Sequence, residues 1–260
     1  GGNLIIEEAD YEEFIKNEPG AIPFIKRYMM GYEFINNEKR WCLWLVNCSP
    51  AQLRNMPSVL KRVKAVREMR ASSNDAGARK KAETPMLFRE QKNPLHYIAI
   101  PITSSQNRKY IPIGYLDGET IAGNTLFIIE DATLYHFGVL TSNVHMAWMR
   151  TVGARMKSDY RYSKDIVYNN FPWPDPTDEQ RTKIEQAAQA VLDARALYPD
   201  SSLADLYDEA TMPPELRKAH QQNDKAVMRT YGFDIKTTTE TTCVAELMRM
   251  YQKLMDNGKN

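Results

Sequence analysis

Three prolines at alternate positions, Pro172, Pro174 and Pro176, divide the chain into two segments of different character. Proline has no backbone N–H, so neither a helix nor the ladder of a central strand can continue through this run. Before it, short stretches rich in Ile, Tyr and Phe alternate with turn residues, a pattern typical of strands. After it, apolar residues recur at helical spacing. We therefore interpret the proline run as a rigid domain boundary.

Strand patterns dominate the first segment, although two helices are also predicted there. The strand candidates are residues 41–47, 97–103, 110–116, 125–129 and 166–168. Residues 50–70 have apolar side chains on one side of a predicted helix, and a small, polar, basic loop follows at residues 71–81. Ser142 is suited to cap a second helix, which ends at Gly153.

The second segment is predicted to be entirely helical. Thr177 followed by Gln180 has the spacing of a capping box and begins a helix that extends to about Leu197. Helical patterns also cover residues 213–231 and 241–255.

These patterns predict an α+β fold class and three regions. Residues 1–20 are acidic and end in Pro-Gly, so we expect a connector there. Residues 21–174 are predicted to form a mixed-sheet domain with packed helices, and residues 175–260 an all-α module. The chain opens with Gly-Gly-Asn, without an initiator Met or a signal sequence, so we expect a segment ahead of it.

The charge of the chain is unevenly distributed, although its net value is only +1. Residues 54–92 contain eleven Lys and Arg residues and only four Asp and Glu residues. A basic segment of this kind is the expected footprint of a partner that carries phosphate groups. The alternative is a solvated helix face followed by a basic loop, and composition alone does not separate the two.

Several kinds of site find no support in the sequence. Three cysteines without C-x-x-C spacing and four scattered histidines form no metal-binding pattern. A G-x-S-x-G elbow is also missing, so we predict neither catalytic residues nor a metal site. No apolar run approaches the length of a bilayer span, so we expect no membrane partner. Unpaired thiols fit the reducing cytoplasm, where we expect the protein to be located.

Several motifs, in order along the chain, resemble one known family. Six motifs carry the resemblance: residues 40–45 (RWCLWL), 110–116 (YIPIGYL), 131–138 (DATLYHFG), 145–148 (HMAW), 160–163 (YRYS) and 168–174 (YNNFPWP). They resemble the target-recognition domain of the MmeI-like (type IIG/IIL) restriction-modification enzymes. Residues 187–195 and 206–214 are similar to the C-terminal helical domain of that family. The resemblance extends over residues 21–232.

The resemblance implies sequence-specific recognition of double-stranded DNA, which directs adenine-N6 methylation, and in many members cleavage, by an upstream catalytic part. Residues 1–20 would then link the chain to the methyltransferase domain of the same polypeptide, where S-adenosylmethionine binds. The chain itself has no G-x-G loop, and Trp173 separates the prolines that a polar-Pro-Pro-aromatic loop requires. We therefore predict no cofactor in this chain. The alternative is a structural module that braces the methyltransferase domain without reading bases.

Lys157 and Asp159 are the first candidates for base reading. The resemblance associates specificity with two residues, two positions apart, just before the motif at residues 160–163. In an extended segment such residues project to the same side. Lysine can donate to guanine O6 and N7 while aspartate accepts from cytosine N4, so the pair suits one G·C base pair in the major groove. The alternative is a surface ion pair between the two side chains.

Further DNA contacts are expected where loops leave the strands. The resemblance places a second specificity region around residues 102–105 and 124, with Ser104, Ser105 and Asn124 as the base-reading candidates. Asn124 can bind adenine N6 and N7, but an Asn beside a Gly is also common in turns. The phosphate candidates lie in or beside predicted loops and are Arg79, Lys80, Lys81, Arg108 and Arg161. For Arg161, a structural ion pair is an equal alternative.

Four large side chains near the second predicted helix suggest a base-stacking role at first sight. They are Met146, Trp148, Met149 and Met156. Their spacing fits one packed helix face better than a stacking platform. We therefore predict that all four lie in the core.

Overall fold

The computed structural model describes residues 2–256 and residue 258. Its strands are β1 (Ile5–Glu7), β2 (Ile25–Met29), β3 (Arg40–Leu43), β4 (His96–Pro101), β5 (Thr103–Ser104), β6 (Gly114–Asp117), β7 (Thr120–Ala122), β8 (Leu126–Glu130), β9 (Ala154–Met156) and β10 (Asp159–Arg161). Its α-helices are α1 (Glu8–Asn17), α2 (Gly31–Asn36), α3 (Pro50–Arg54), α4 (Pro57–Ala71), α5 (Ala76–Lys80), α6 (Leu134–Leu140), α7 (Asn143–Val152), α8 (Asp178–Ala196), α9 (Leu203–Leu206), α10 (Pro214–Thr230) and α11 (Glu240–Asp256). The chain divides into two compact units.

The first unit contains residues 2–33, 38–95 and 117–123. Its sheet has the strand order β1-β3-β2-β7, in which β1 and β2 are antiparallel to β3 and β7 is parallel to β2. Val59, Val63 and Val66 recur at helical spacing along α4, and all three are buried in the core of this unit. The apolar face predicted for this helix is therefore the face that packs.

The acidic N-terminal segment is folded into the first unit, which corrects the prediction of a connector before Ala21. Ile5 of β1 pairs with Cys42 of β3, and the side chains of Leu4 and Ile6 are fully buried. The segment is acidic in net charge, but it also contains apolar residues, and its buried apolar side chains, Leu4, Ile6 and Phe14, form the packing contacts. A link from this segment to an upstream methyltransferase domain stays a prediction.

The second unit contains residues 34–37, 96–116 and the described residues from 124 onward. It has two three-stranded sheets, with strand orders β6-β4-β8 and β5-β10-β9. One hydrophobic core includes Ile98 of β4, Trp148 of α7 and Ile184 of α8, together with residues of α10 and α11. The proline run therefore marks the change from strand-rich to helical sequence, but residues on both sides of it pack into the same hydrophobic core. The α+β fold class is confirmed.

The capping signals of the sequence are confirmed. Ser142 Oγ accepts a hydrogen bond from His145 N at 3.3 Å, and α7 begins at the next residue. Thr177 and Gln180 form the capping box of α8. These local hydrogen bonds satisfy N–H groups that have no partner inside the helix, so they depend on nearby sequence alone.

Several element predictions are wrong in detail, and the strand expected over residues 110–116 begins only at Gly114. The strand expected at residues 166–168 lies in a π-helical turn over Lys164–Tyr168. The helix expected over residues 50–70 is divided into α3 and α4, because Pro57 occupies the first position of a new helix. None of the helices within residues 2–256 combines the length and apolar composition that a bilayer crossing requires.

A buried hydrogen-bond network joins the strand-rich part of the second unit to α10. Asp224, which is 7% exposed, accepts hydrogen bonds from Tyr110 OH at 2.6 Å and from Asn143 N at 2.8 Å. Burial raises the pKa of Asp224 to about 6, although both hydrogen bonds act in the opposite direction. The ring of Tyr110 stacks on His220, whose pKa is lowered by burial.

The pH dependence of stability tests this network. The folded-state pKa of Asp224, about 6, lies above the ordinary value of 3.8, so its contribution to stability is complete below about pH 4 and is lost as the pH rises through 6. Asp224→Asn cannot ionise. Between pH 4 and pH 7 the free energy of unfolding of this variant should therefore improve relative to wild type by about 1 to 3 kcal/mol. Urea denaturation across this range measures the difference, and parallel pH profiles would contradict the raised pKa.

Candidate nucleic-acid interface

The antiparallel sheet β5-β10-β9 brings together residues that are far apart in the sequence. Tyr160 of β10 pairs with Ser104 of β5 on one side and with Arg155 of β9 on the other. Just after β5, Gln106 N donates to Asp159 Oδ1 at 3.3 Å across 53 positions of sequence. The sheet therefore places the predicted specificity region at residues 102–105 beside the predicted base-reading residue Asp159.

Side-chain alternation gives this sheet an inner and an outer face. Tyr160 is buried, while Asp159 is half-buried and Arg161 is exposed. Met156, which is opposite Asp159 in the register, is 47% exposed. Opposed residues of an antiparallel pair point to the same side, so Asp159, Arg161 and Met156 share the outer face. This face presents polar, charged and polarizable groups to solvent.

Lys157 lies in the two-residue turn between β9 and β10, which corrects the assumption of an extended segment. Its φ of 56° is in the left-handed region, which costs a non-glycine residue roughly 1 kcal/mol. The side chain is exposed, and within residues 2–256 it forms no ion pair with Asp159. The turn, not strand alternation, therefore determines where the Lys157 ammonium projects.

The turn after β5 is fixed by short-range hydrogen bonds. Arg108 N donates to Ser105 O at 3.1 Å, and Asn107 N donates to Ser105 Oγ at 3.2 Å. The guanidinium of Arg108 is half-buried; burial lowers its pKa, while Asp208 and Asp159 raise it. Nearby carboxylates and burial make Arg108 less available to a phosphate than its loop position predicts.

Ser104 does not have the exposure that base reading requires. It is 2% exposed, and its Oγ has no hydrogen-bond partner in the described part of the chain. The prediction is corrected because Ser104 occupies an inward-facing position of β5. Ser105 is partly exposed, and Asn124 is exposed immediately before Thr125, whose carbonyl accepts from Ile102 N at 3.0 Å. Ser105 and Asn124 therefore have the accessibility of contact residues.

The phosphate candidates at residues 79–81 belong to the first unit, where the predicted loop contains the short helix α5. Arg79 Nη1 donates to Ser73 O and to Asn74 O, both at 2.9 Å, so part of its donor capacity is used locally. Lys80 is exposed, whereas Lys81 is partly buried. Lys80 is thus the most available cation of the three.

The three thiols and two of the four histidines, His145 and His220, are buried. Cys42, Cys48 and Cys243 are free, buried thiols, and burial raises the pKa of Cys42 to about 12 and that of Cys243 to about 11. Burial also lowers the pKa of His145 to about 3. Protonated thiols and an inaccessible imidazole are poor nucleophiles and bases. Among the described residues, no group of three His, Cys, Asp or Glu side chains is arranged to hold a metal ion.

The sequence gives no sign of a role for Arg155, and the prediction that Met156 lies in the core is wrong, because its side chain is 47% exposed. The guanidinium of Arg155 lies 4.2 Å from the centroid of the Tyr160 ring, and its Nη1 donates to Ser158 O at 3.0 Å. The turn contains no Gly or Asn, so the usual sequence signal of a two-residue hairpin is absent. The other three members of the predicted core group are buried, namely Met146, Trp148 and Met149.

Two family models match the chain in succession. Residues 1–175 match the model of the MmeI target recognition domain, and residues 176–257 match the model of the MmeI C-terminal domain. The fold and the site thus define a target-recognition region that is followed by a helical C-terminal domain. The chain belongs to the MmeI family, as its motifs predict.

Two known relatives are similar over almost the whole chain. DNA methyltransferase A of Bacillus subtilis (strain 168) is 35% identical over 257 residues, which are 98% of this chain and 29% of the relative. The solved structure of the Type IIL restriction-modification enzyme MmeI in complex with DNA is 46% identical, with a TM-score of 0.95, over 98% of this chain and 34% of that one. The chain therefore spans about a third of the length of these relatives.

The positive φ of Lys157 provides a test of the turn that does not depend on DNA. Lys157→Gly should leave the free energy of unfolding unchanged or raise it by up to about 1 kcal/mol, because glycine adopts this conformation without strain. Ser158→Gly, the matched control without a positive φ, should lower it by up to about 1 kcal/mol. Urea denaturation compares the two, and a larger loss for Lys157→Gly would exclude the left-handed turn.

Proposed function

We propose that the chain is the DNA-reading part of a restriction-modification enzyme. It recognises a specific sequence in duplex DNA and directs adenine-N6 methylation by a catalytic domain of the same polypeptide. The main support is the exposed β9-β10 hairpin, which carries Lys157 and Asp159 in a chain of the target-recognition family. A similar solved protein is in complex with DNA, which favours the same partner here.

The hairpin has a shape suited to the major groove. A groove about 12 Å wide admits a two-stranded ribbon, and Lys157 lies in the turn at the tip of this ribbon, between β9 and β10. The hydrogen bond from Gln106 N to Oδ1 orients the Asp159 carboxylate and leaves Oδ2 for a base. Lys157 would donate to guanine O6 and N7, and Asp159 would accept from cytosine N4.

We propose a second set of contacts with the same DNA. Asn124 is suited to adenine N6 and N7, and Ser105 can donate to or accept from a neighbouring base. Arg161 shares the outer face with Asp159 and is the proposed phosphate contact beside the base-reading pair. Lys80, with Arg79 and Lys81, is proposed to bind phosphate without regard to sequence.

Catalysis is proposed to reside in another part of a longer polypeptide, because the relatives are much longer than this chain. S-adenosylmethionine, the donor that a DNA methyltransferase requires, is proposed to bind there. The folded N-terminal segment is proposed to join that part to the first unit. Three buried free thiols support an assignment to the reducing cytoplasm.

Alanine at Lys157 or at Asp159 tests base reading in the full-length protein. Each change should relax recognition at one base pair and reduce discrimination there by about 1 to 3 kcal/mol, because a base-edge contact is lost. Methylation of a duplex library with every position substituted provides the readout. Ser158→Ala, between the two, is the control that should keep the parental site. An unchanged recognition sequence in both variants would exclude the assignment, and DNA binding without any sequence preference in the wild type would exclude the function.

Lys80→Gln should weaken DNA binding without changing which sequence is recognised. The loss of one phosphate contact should weaken binding to all sequences by a similar factor and reduce the slope of log affinity against log salt by about 0.9. Filter binding to cognate and scrambled duplexes measures both quantities. The control is Lys16→Gln on the acidic helix α1, which should change neither. A selective loss at the cognate site would contradict a phosphate role for Lys80.

A further inference from the structure

The basic side chains of α4 fall into two groups, and the first group is structural. Arg62 Nη1 donates to Asn3 O at 3.1 Å and to Ile5 O at 3.0 Å. Arg70 is buried and donates to the carbonyls of three residues that follow α5, at 2.8 to 3.0 Å. These two guanidinium groups organise the first unit, so they are not free to bind a ligand.

The second group consists of Lys61, Lys64 and Arg67, which we call the α4 ridge. All three are exposed, and within residues 2–256 none of the three side chains has a hydrogen bond or an ion pair. They are spaced at i, i+3 and i+6, so they form one continuous row on the helix surface. At 1.5 Å per residue, the row covers about 9 Å along the axis.

The charge of this row is not balanced by its own helix. Glu68 is the sole acidic residue of α4, and it forms no ion pair with Lys64 although the two are four positions apart. Like charges at this spacing repel each other weakly, so a row of three cations costs stability unless a partner neutralises it. Each DNA strand carries a continuous line of phosphates, so a row of exposed cations is suited to contact successive phosphates of one strand.

The α4 ridge belongs to the same unit as the phosphate candidates at residues 79–81. The hydrogen bond of Arg70 to Lys81 O, at 3.0 Å, attaches the end of α5 to the end of α4. The two sets of cations therefore belong to one packed part of the first unit. This arrangement favours a common polyanionic partner over two unrelated solvated patches.

We propose that Lys61, Lys64 and Arg67 form a phosphate-binding ridge that contacts the sugar-phosphate backbone of duplex DNA without reading its sequence. The inference rests on the proposed function, since it assigns a second contact surface for the same DNA. The ridge supplies affinity and orientation, while the β9-β10 hairpin supplies discrimination.

The test replaces all three cations in the full-length protein, as Lys61→Gln with Lys64→Gln and Arg67→Gln. The slope of log affinity against log salt should decrease by about 2 to 3, and affinity for cognate and scrambled duplexes should fall by a similar factor. The matched control replaces two lysines and one arginine that are exposed on α10, as Lys218→Gln with Lys225→Gln and Arg229→Gln. It should leave the slope unchanged.

The possible results separate the ridge from the function. Suppose that the wild type binds its site and that both triple variants keep the wild-type slope of log affinity against log salt. The ridge is then excluded and the proposed function is retained. An unchanged slope together with a lower stability of the full-length protein also excludes it, since the cations would then contact protein. If the wild type shows no salt-dependent binding to duplex DNA, the proposed function fails and the ridge fails with it. Each single Gln variant should reduce the slope by about 0.9, which keeps the test available if the triple variant is unstable.

Discussion

The antiparallel pairing of β10 with β5 and β9 is the interaction on which the candidate site depends. The ladder joins residues 160–161 to residues 103–104 and residues 159–161 to residues 154–156, and it fixes which side chains face outward. A shift of one residue would bury Asp159 and Arg161 and expose Tyr160, because side chains alternate along a strand. The register therefore determines whether the sheet presents charged groups or an aromatic ring to a ligand.

The core of the second unit gives this small sheet a rigid support. Tyr110, Asn143 and Asp224 join the chain before the proline run to α10, and Trp148 Nε1 donates to Val167 O at 3.0 Å within the same core. Side chains that discriminate between bases must be held to within a fraction of an ångström, so they benefit from a packed support. We therefore expect the helical C-terminal segment to support the proposed contacts through packing, although its own residues are not among them.

The predictions that succeeded rest on local sequence. Helix starts at Ser142 and Thr177, the apolar face of α4 and the family motifs were all visible in short windows of residues. Some of the predictions that failed concern local geometry, such as the left-handed turn at Lys157, and the others concern long-range packing. Ser104 has an ordinary polar side chain, and only its pairing with Tyr160 places it in the interior. The acidic N-terminal segment gave no sign that Ile5 pairs with a strand 37 positions later, at Cys42.

By itself, the sequence determined the fold class, the family, the helix caps and the concentration of positive charge between residues 54 and 92. Each of these depends on residue type, on spacing within a few turns, or on a sum over residues. Tertiary structure alone decided which cations are available: Arg62 and Arg70 bind carbonyl oxygens, whereas Lys61, Lys64 and Arg67 remain exposed. It also placed Lys157 in a left-handed turn beside Asp159. The physical reason is that burial and hydrogen bonding are properties of the packed neighbours, which a residue's position in the chain does not specify.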